Sequence, residues 1–178
     1  MELLNQYLPK TEVEKKYKLK MQKLYQSKGS KAFLRDNLDR HFTASAWIIN
    51  PISQQVLLLH HKKLNKWLQA GGHADGDENL EKVARKEASE ETGHNNLQQI
   101  SESIFDIDIH TIPERKGIPQ HEHYDVRFAY FCHEIEETSI NSESNDFQWV
   151  ELDRIKDLTN EPSILRMVSK TKDIINGI

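Results

Sequence analysis

Three glutamates, Glu87, Glu90 and Glu91, stand at i, i+3 and i+4, the spacing that puts side chains on one face of a helix. Like charges so close repel one another, and the triangle itself contains no base. A hard divalent cation relieves that repulsion, because carboxylate oxygens are the ligands Mg²⁺ or Mn²⁺ takes. Such sites leave positions to water and phosphate oxygens, so the chemistry indicated is on phosphates. The competing reading is an exposed acidic helix: seven acids fall between Asp75 and Glu91, with Lys82, Arg85 and Lys86 among them.

Spacing separates the two. The stretch GGHADGDENLEKVARKEASEETGH resembles the Nudix box, G-x5-E-x7-R-E-U-x-E-E-x-G-U with U aliphatic. Gly72, Glu78, Glu87, Glu90, Glu91 and Gly93 supply six of its seven fixed letters at the required spacing. At a background of about 7% per residue, that coincidence is on the order of 10⁻⁷ per start position. Lys86 stands where the family has arginine, Ala88 is a small version of one aliphatic residue, and His94 replaces the other.

The resemblance implies a Nudix-type pyrophosphohydrolase acting on phosphoric anhydride bonds. It would cleave, with Mg²⁺ (or Mn²⁺), the diphosphate linkage of a nucleoside diphosphate joined to another moiety X. It assigns Glu87, Glu90 and Glu91 as metal-binding and catalytic glutamates and the Gly71 carbonyl as a backbone ligand. Gly72, Glu78, Lys86 and Gly93 become the structural members of the box. In the family the arginine pairs with the glutamate matching Glu78 and orients the catalytic glutamates. Lysine keeps that charge but lacks the planar fork, and Arg85 points about a third of a turn away. Many members add an acid from the loop before the last strand. Glu143, six residues before Trp149, is the candidate catalytic acid here, followed by Glu137 and Asp146.

Two other readings stay open. The same fold could serve as a catalytically weak nucleotide-binding or sensor domain, which Lys86 and the basic N-terminal helix favour. Isopentenyl diphosphate isomerase has a similar fold, but it places a catalytic cysteine just before Gly-His. Gly71 occupies that position, and the single cysteine, Cys132, is 61 residues away.

A second polar cluster lies in HTIPERKGIPQHEHYDVRF. On a strand from His121, the residues His121, His123, Asp125 and Arg127 share one face, and Tyr124, Val126, Phe128 and Tyr130 the other. One reading is a substrate-binding wall, with Arg127 meeting phosphate and the histidines a base, ribose or second metal. The other is a polar surface or a hydrogen-bonded network. His110 and His73 could join the cluster. His-x-His with an aspartate is too weak a signature to be read as a zinc site.

The elements that must position these residues follow from periodicity. Thr11 with Glu14 reads as a capping box opening a helix, along which Val13, Tyr17, Met21, Leu24 and Tyr25 recur at helical spacing until Gly29. A short helix is expected from Ser30 to about Leu38. Strands are expected over 42–49, 55–60, 100–110, 121–132 and 147–150, the first two joined by a turn at Asn50–Ser53. Asp75 or Asp77 is expected to cap a helix running to Thr92, and closing helices are expected over 152–158 and 163–175, with Pro162 at the break. Trp47 and Trp149 read as packing residues, Trp67 as a support beneath the glycines, and Cys132 as buried. This mix suggests α/β, or α+β, and the resemblance refines it to an α/β/α sandwich with a mixed sheet. The domains expected are an N-terminal helical extension, residues 1–40, and a Nudix domain, residues 41–178.

Composition narrows the classes. The 178 residues, 37% apolar and 29% charged with mean hydropathy −0.74, suit one wet-surfaced globular domain. No run approaches the roughly 20 apolar residues of a membrane span, nor does a leader stand out in residues 1–20, so a cytoplasmic protein without membrane association is expected. The net charge of −4 conceals +5 over residues 1–31, with eight lysines, and −9 beyond. That lysine face reads as solvated above a docked apolar stripe. The expected partner is a small-molecule nucleoside diphosphate derivative, with no stable nucleic-acid binding, and the N-terminal helices could form either a homodimer contact or a lid.

Overall fold

The N-terminal segment begins with α1 (Glu2–Gln6) and α2 (Glu12–Lys28). The computed structural model describes residues 1–115, 117–133, 135 and 138–177. Thr11 caps α2 as its sequence requires, accepting from the Glu14 amide at 3.2 Å, and Gly29 ends it with φ +56°. The buried stripe differs from the expected one: Val13 is exposed while Glu14 is buried. The Glu14 carboxylate is satisfied locally, by the Tyr7 hydroxyl, the Lys10 amide at 3.2 Å and the Thr11 hydroxyl at 2.8 Å. The helix expected from Ser30 is only a 3₁₀ turn over Gly29–Phe33, because Leu34 adopts an extended backbone.

Eight strands follow, interrupted by one long helix: β1 (Arg40–Asn50), β2 (Gln55–His61), β3 (Lys66–Leu68), β4 (Ala70–His73), α3 (Leu80–Thr92), β5 (Gln98–Gln99), β6 (Asp106–Ile112), β7 (His121–Phe131) and β8 (Ser144–Glu151). The last helix, α4, covers Pro162–Ile175. Strand pairing runs β3-β2-β1-β7-β5, with β4 on β1, β6 on β7 and β8 on β2. The α/β architecture expected from sequence is therefore present. Ile100–Phe105, expected as strand, is not: Ser101 and Ser103 bond to each other and bend the chain. The helix expected over 152–158 shrinks to a 3₁₀ turn at Ile155–Asp157.

Two compact units are formed by interleaved stretches. One contains Met1–Ser45, Gly71–Ala84 and Ser101–Phe128, and the other Ala46–Ala70, Arg85–Ile100 and Ala129–Ile178. In the first, α2 packs on β6, and Phe33 stacks on Phe42 at 4.9 Å while Tyr124 meets Phe42 edge-on at 6.2 Å. The lysine face of α2 does more than meet solvent there. Lys18 donates to the Asn5 and Tyr7 carbonyls at 2.8 and 2.7 Å, which ties α1 down, and Lys20 pairs with Glu122 at 3.8 Å.

In the second unit β2 is the centre, antiparallel to both β3 and β8, with Leu57 opposite Trp149 and Leu59 opposite both Phe147 and Leu68. Its turn from β1 is an Asx turn in which the Asn50 side chain accepts from the Ile52 and Ser53 amides. Trp47 is fully buried and donates to Thr171 of α4 at 2.8 Å. Trp67 lies against His60, and Cys132 is buried.

Candidate active site

Asn79 opens α3, its side chain accepting from the Lys82 amide at 3.1 Å; Asp77 instead accepts from the Asn79 amide at 2.9 Å. The cap is thus Asn79, two residues beyond Asp77, because an Asx turn intervenes. Along α3 the positions Leu80, Val83, Ala84, Ala88, Glu91 and Thr92 are buried, a 3.6-period stripe that fixes the rotation of the helix. Glu91 therefore ends up 7% exposed, and the Glu87 side chain 18% exposed, while Glu90 stands out at 54%. Gly93 terminates the helix with φ +75°. A Cβ there would lie 2.4 Å from the Ser139 Oγ, a hydroxyl that can rotate away, so it is the positive φ that calls for glycine.

Lys86 reaches both neighbours, 3.1 Å from Glu90 and 3.7 Å from Glu87. Burial pushes the Glu87 pKa up; Lys86 opposes this, and the negative charges of Glu90 and Glu143 add to it. Glu143, the loop acid, is thus in electrostatic reach of Glu87. It also pairs with Lys63 at 3.7 Å. Asp146 is occupied by the Phe147 amide at 2.8 Å, and Glu137 lies outside the described residues.

In the other unit the glycine entry is sterically specified: a Cβ on Gly71 would meet the Ser45 Oγ at 2.3 Å and the Ala44 carbonyl at 2.8 Å. Gly72 follows on the same strand, and Glu78 is exposed just before Asn79. The antiparallel register of β6 and β7 sets His123 opposite His110, Asp125 opposite Asp108 and Arg127 opposite Asp106. The expected alternation is present, with Tyr124, Val126 and Phe128 buried on the apolar face.

Arg127 is 2% exposed and ringed by Asp125 at 2.7 Å, Asp106 at 3.3 Å and Asp108 at 3.4 Å. Burial opposes its charge most, yet the three carboxylates together outweigh that and hold its pKa above the ordinary value. Asp125 also accepts from Thr43 at 3.0 Å and Ser45 at 2.8 Å. For Asp125 and Arg127 the geometry favours the buried network over the open wall. Sequence reasoning did not single out Asp106 and Asp108.

The histidines gather at the far end of this face. The His123 ring centroid lies 5.1 Å from His121, 4.9 Å from His73, 5.5 Å from His110 and 4.9 Å from His41. Burial above all, helped by neighbouring positive charge, pushes the His73 pKa down to about 4 and that of His123 to about 2. His41 was missed in the sequence. Its signal was available: His41, Thr43 and Ser45 form a polar period-two set on a strand whose other face is Phe42, Ala44 and Ala46.

The NUDIX domain model matches residues 39–170. The chain belongs to the Nudix family. With the family comes its enzyme class, pyrophosphohydrolase acting on phosphoric anhydride bonds. No curated protein matches the chain. Among solved structures it resembles a Nudix-family hydrolase from Clostridium perfringens, with 26% identity, coverage of 76% of this chain and 99% of that one, and TM-score 0.53. The fold is shared with a C. elegans Ap4A hydrolase binary complex (18% identity, 77% and 98% coverage, TM-score 0.63). It is shared also with the NUDIX domain of Shewanella oneidensis NrtR complexed with ADP ribose (17% identity, 75% and 87% coverage, TM-score 0.54).

Two departures of this Nudix box, Ala88 and His94, have physical explanations. Ala88 is fully buried, so a small residue fits there. His94, in place of an aliphatic residue, is 3% exposed but has its polar atoms engaged: Nε2 lies 3.1 Å from the Thr138 hydroxyl and Nδ1 3.7 Å from the Cys132 Sγ, with Trp149 edge-on. Arg85, beside Lys86, donates to the Leu97 carbonyl at 2.8 Å and covers the Tyr130 ring at 5.0 Å.

Proposed function

We propose that this chain is a Mg²⁺-dependent hydrolase that cleaves the diphosphate linkage of a nucleoside diphosphate joined to another moiety X. One observation carries the reading: Glu87, Glu90 and Glu91 issue from a single turn of α3, with Glu143 in electrostatic reach of Glu87. Oxygen donors of this kind suit a hard cation, and the upward pressure that neighbouring acids put on Glu87 is what a cation offsets. Glu87, Glu90 and Glu91 would hold the metal, and the resemblance adds the Gly71 carbonyl, just before the box. Mn²⁺ would substitute.

When bound, the ion supplies charge neutralisation and polarises the phosphoryl oxygens. The chain's own residues do the rest. Burial of the α3 stripe fixes the glutamate carboxylates in orientation, so that little is reorganised on substrate binding. Lys86 restrains the exposed Glu90 side chain. Glu143 stands on a loop as the base that takes a proton from the attacking water.

The test is nucleotide release from a panel including ADP ribose and Ap4A, the molecules named with the Shewanella and C. elegans proteins. Glu90→Gln and Glu91→Gln should each lower kcat at least about 100-fold, on the order of the loss when one charge-stabilising group is removed. Equal rates in all three proteins would refute the assignment. Tight nucleotide binding without turnover at any divalent metal would make this a sensor domain.

A further inference from the structure

We propose that His41, His121 and His123 bind one transition-metal cation of the Zn²⁺ class, at a site separate in chemistry from the α3 carboxylates. The donor atoms of these three side chains all lie within 4.8 Å of one another. The ring tautomers of His41 and His121 are set for ligation. The His41 Nδ1 is 3.2 Å from the Asn37 carbonyl and the His121 Nδ1 is 2.9 Å from the Pro119 carbonyl. A carbonyl only accepts, so both Nδ1 atoms donate and both Nε2 atoms present a lone pair. Metal-bound histidines are held by this same outer contact.

Two further observations point to an ion. The Nε2 atoms of His121 and His123 are hydrogen-bonded at 3.2 Å, the His123 N–H donating to the His121 lone pair, and a cation would take the place of that proton. Two nitrogens at 2.0–2.1 Å from a tetrahedral Zn²⁺ are separated by about 3.3 Å, so this edge is already at coordination spacing. The His41 Nε2 is buried and has no hydrogen-bond partner among the described residues. His41 is 2% exposed, so that lone pair is shielded from water, and leaving it unmade is costly. A cation satisfies it together with the other two.

The metal class follows from the donors. Imidazole suits Zn²⁺, Cu²⁺ or Ni²⁺, whereas Mg²⁺ prefers oxygen. Water completes the tetrahedron. His110, opposite His123 on β6 with its Nδ1 3.4 Å from Asp108, braces the His123 ring. Such an ion would join the start of β1 to the start of β7, whichever reaction the protein catalyses.

The test uses tag-free, chelator-treated full-length protein titrated with Zn²⁺ in excess Mg²⁺ by calorimetry, and with Co²⁺ by visible absorption. One equivalent should bind, with the Co²⁺ bands of imidazole coordination. His41→Ala, His121→Ala and His123→Ala should each weaken binding at least about tenfold, and Glu90→Gln and Glu91→Gln should leave it unchanged. Should His41→Ala fail to fold, His121→Asn, on a partly exposed side chain, carries the same comparison. The site is refuted if wild type binds no stoichiometric Zn²⁺, if the histidine variants bind as wild type does, or if only the glutamate variants lose binding.

Discussion

The Lys86 ammonium sits 3.1 Å from the Glu90 carboxylate, one helical turn further along α3. An i,i+4 pair with Lys86 61% exposed contributes about 0.3–0.5 kcal/mol at most. Lys86→Ala should therefore leave the melting temperature within about 2 °C of wild type. Its effect should fall on kcat, lowered by about tenfold through loss of Glu90 orientation. Lys86→Arg should retain more activity than Lys86→Ala. Steady-state kinetics beside thermal melts check both statements.

Glu143 stands just before β8 and Asp146 within it, and they differ in occupation, the latter accepting from the Phe147 amide. Glu143→Gln should lower kcat by about 100-fold with little change in KM, as expected for loss of a general base. Asp146→Asn should alter it less than about twofold. A reversed ranking under single-turnover conditions would remove Glu143 from the proposed chemistry.

Arg127 is the buried cation that three aspartates share. Arg127→Ala strands their negative charge and should cost about 3–5 kcal/mol of unfolding free energy. Urea denaturation measures it. Arg127→Lys, which lacks the planar fork, should recover only part. A loss of substrate affinity at full stability would instead revive a phosphate-binding role.

Gly71→Ala forces a methyl against the Ala44 carbonyl, a backbone atom that cannot rotate away. The variant should lose about 1–3 kcal/mol. Shortening Ser45 to alanine should not rescue it, because the carbonyl contact at 2.8 Å remains. Differential scanning fluorimetry of the single and double variants separates these outcomes.

His73 is neutral in the folded chain down to about pH 4, against 6.5 for the free side chain. The unfolded state therefore takes up a proton that the folded state refuses. Stability contributed by this group is complete above pH 6.5 and falls as the pH drops toward 4. In chelator-treated protein the loss by pH 5 should be about 1–2 kcal/mol, and His73→Gln should flatten that part of the curve.

Much of this was legible in the chain. Gly72 through Gly93 could be read because box residues are fixed by spacing along one helix, and the polar face of β7 because alternation survives burial. What failed depended on the backbone beyond a local window. Ser30 to Leu38 has helical composition, yet Leu34 extends to let Asp36–Leu38 turn into β1. The cap of α3 moved to Asn79 because Asp77 satisfied the Asn79 amide first. His41 was missed because the histidines it meets are 32, 80 and 82 residues away, so that its polar alternation with Thr43 and Ser45 pointed to a strand face and not to a cluster. Arg127 stayed open between a substrate-facing wall and a hydrogen-bonded network because its two further aspartates belong to a strand that sequence alone did not register against β7.

The amide of Ser139 is tethered to the Thr92 carbonyl at 3.1 Å, and the Glu143 carbonyl to the Lys62 amide at 2.9 Å. Only residues 140–142 hang free of these two moorings, a span of at most about 14 Å when taut. The loop acid is thus on a short leash whose near end is the last turn of α3. Chain length in this stretch is part of its specification: because Glu143 is itself the far mooring, a deletion within 140–142 would break one tether or the other before the carboxylate could keep its place.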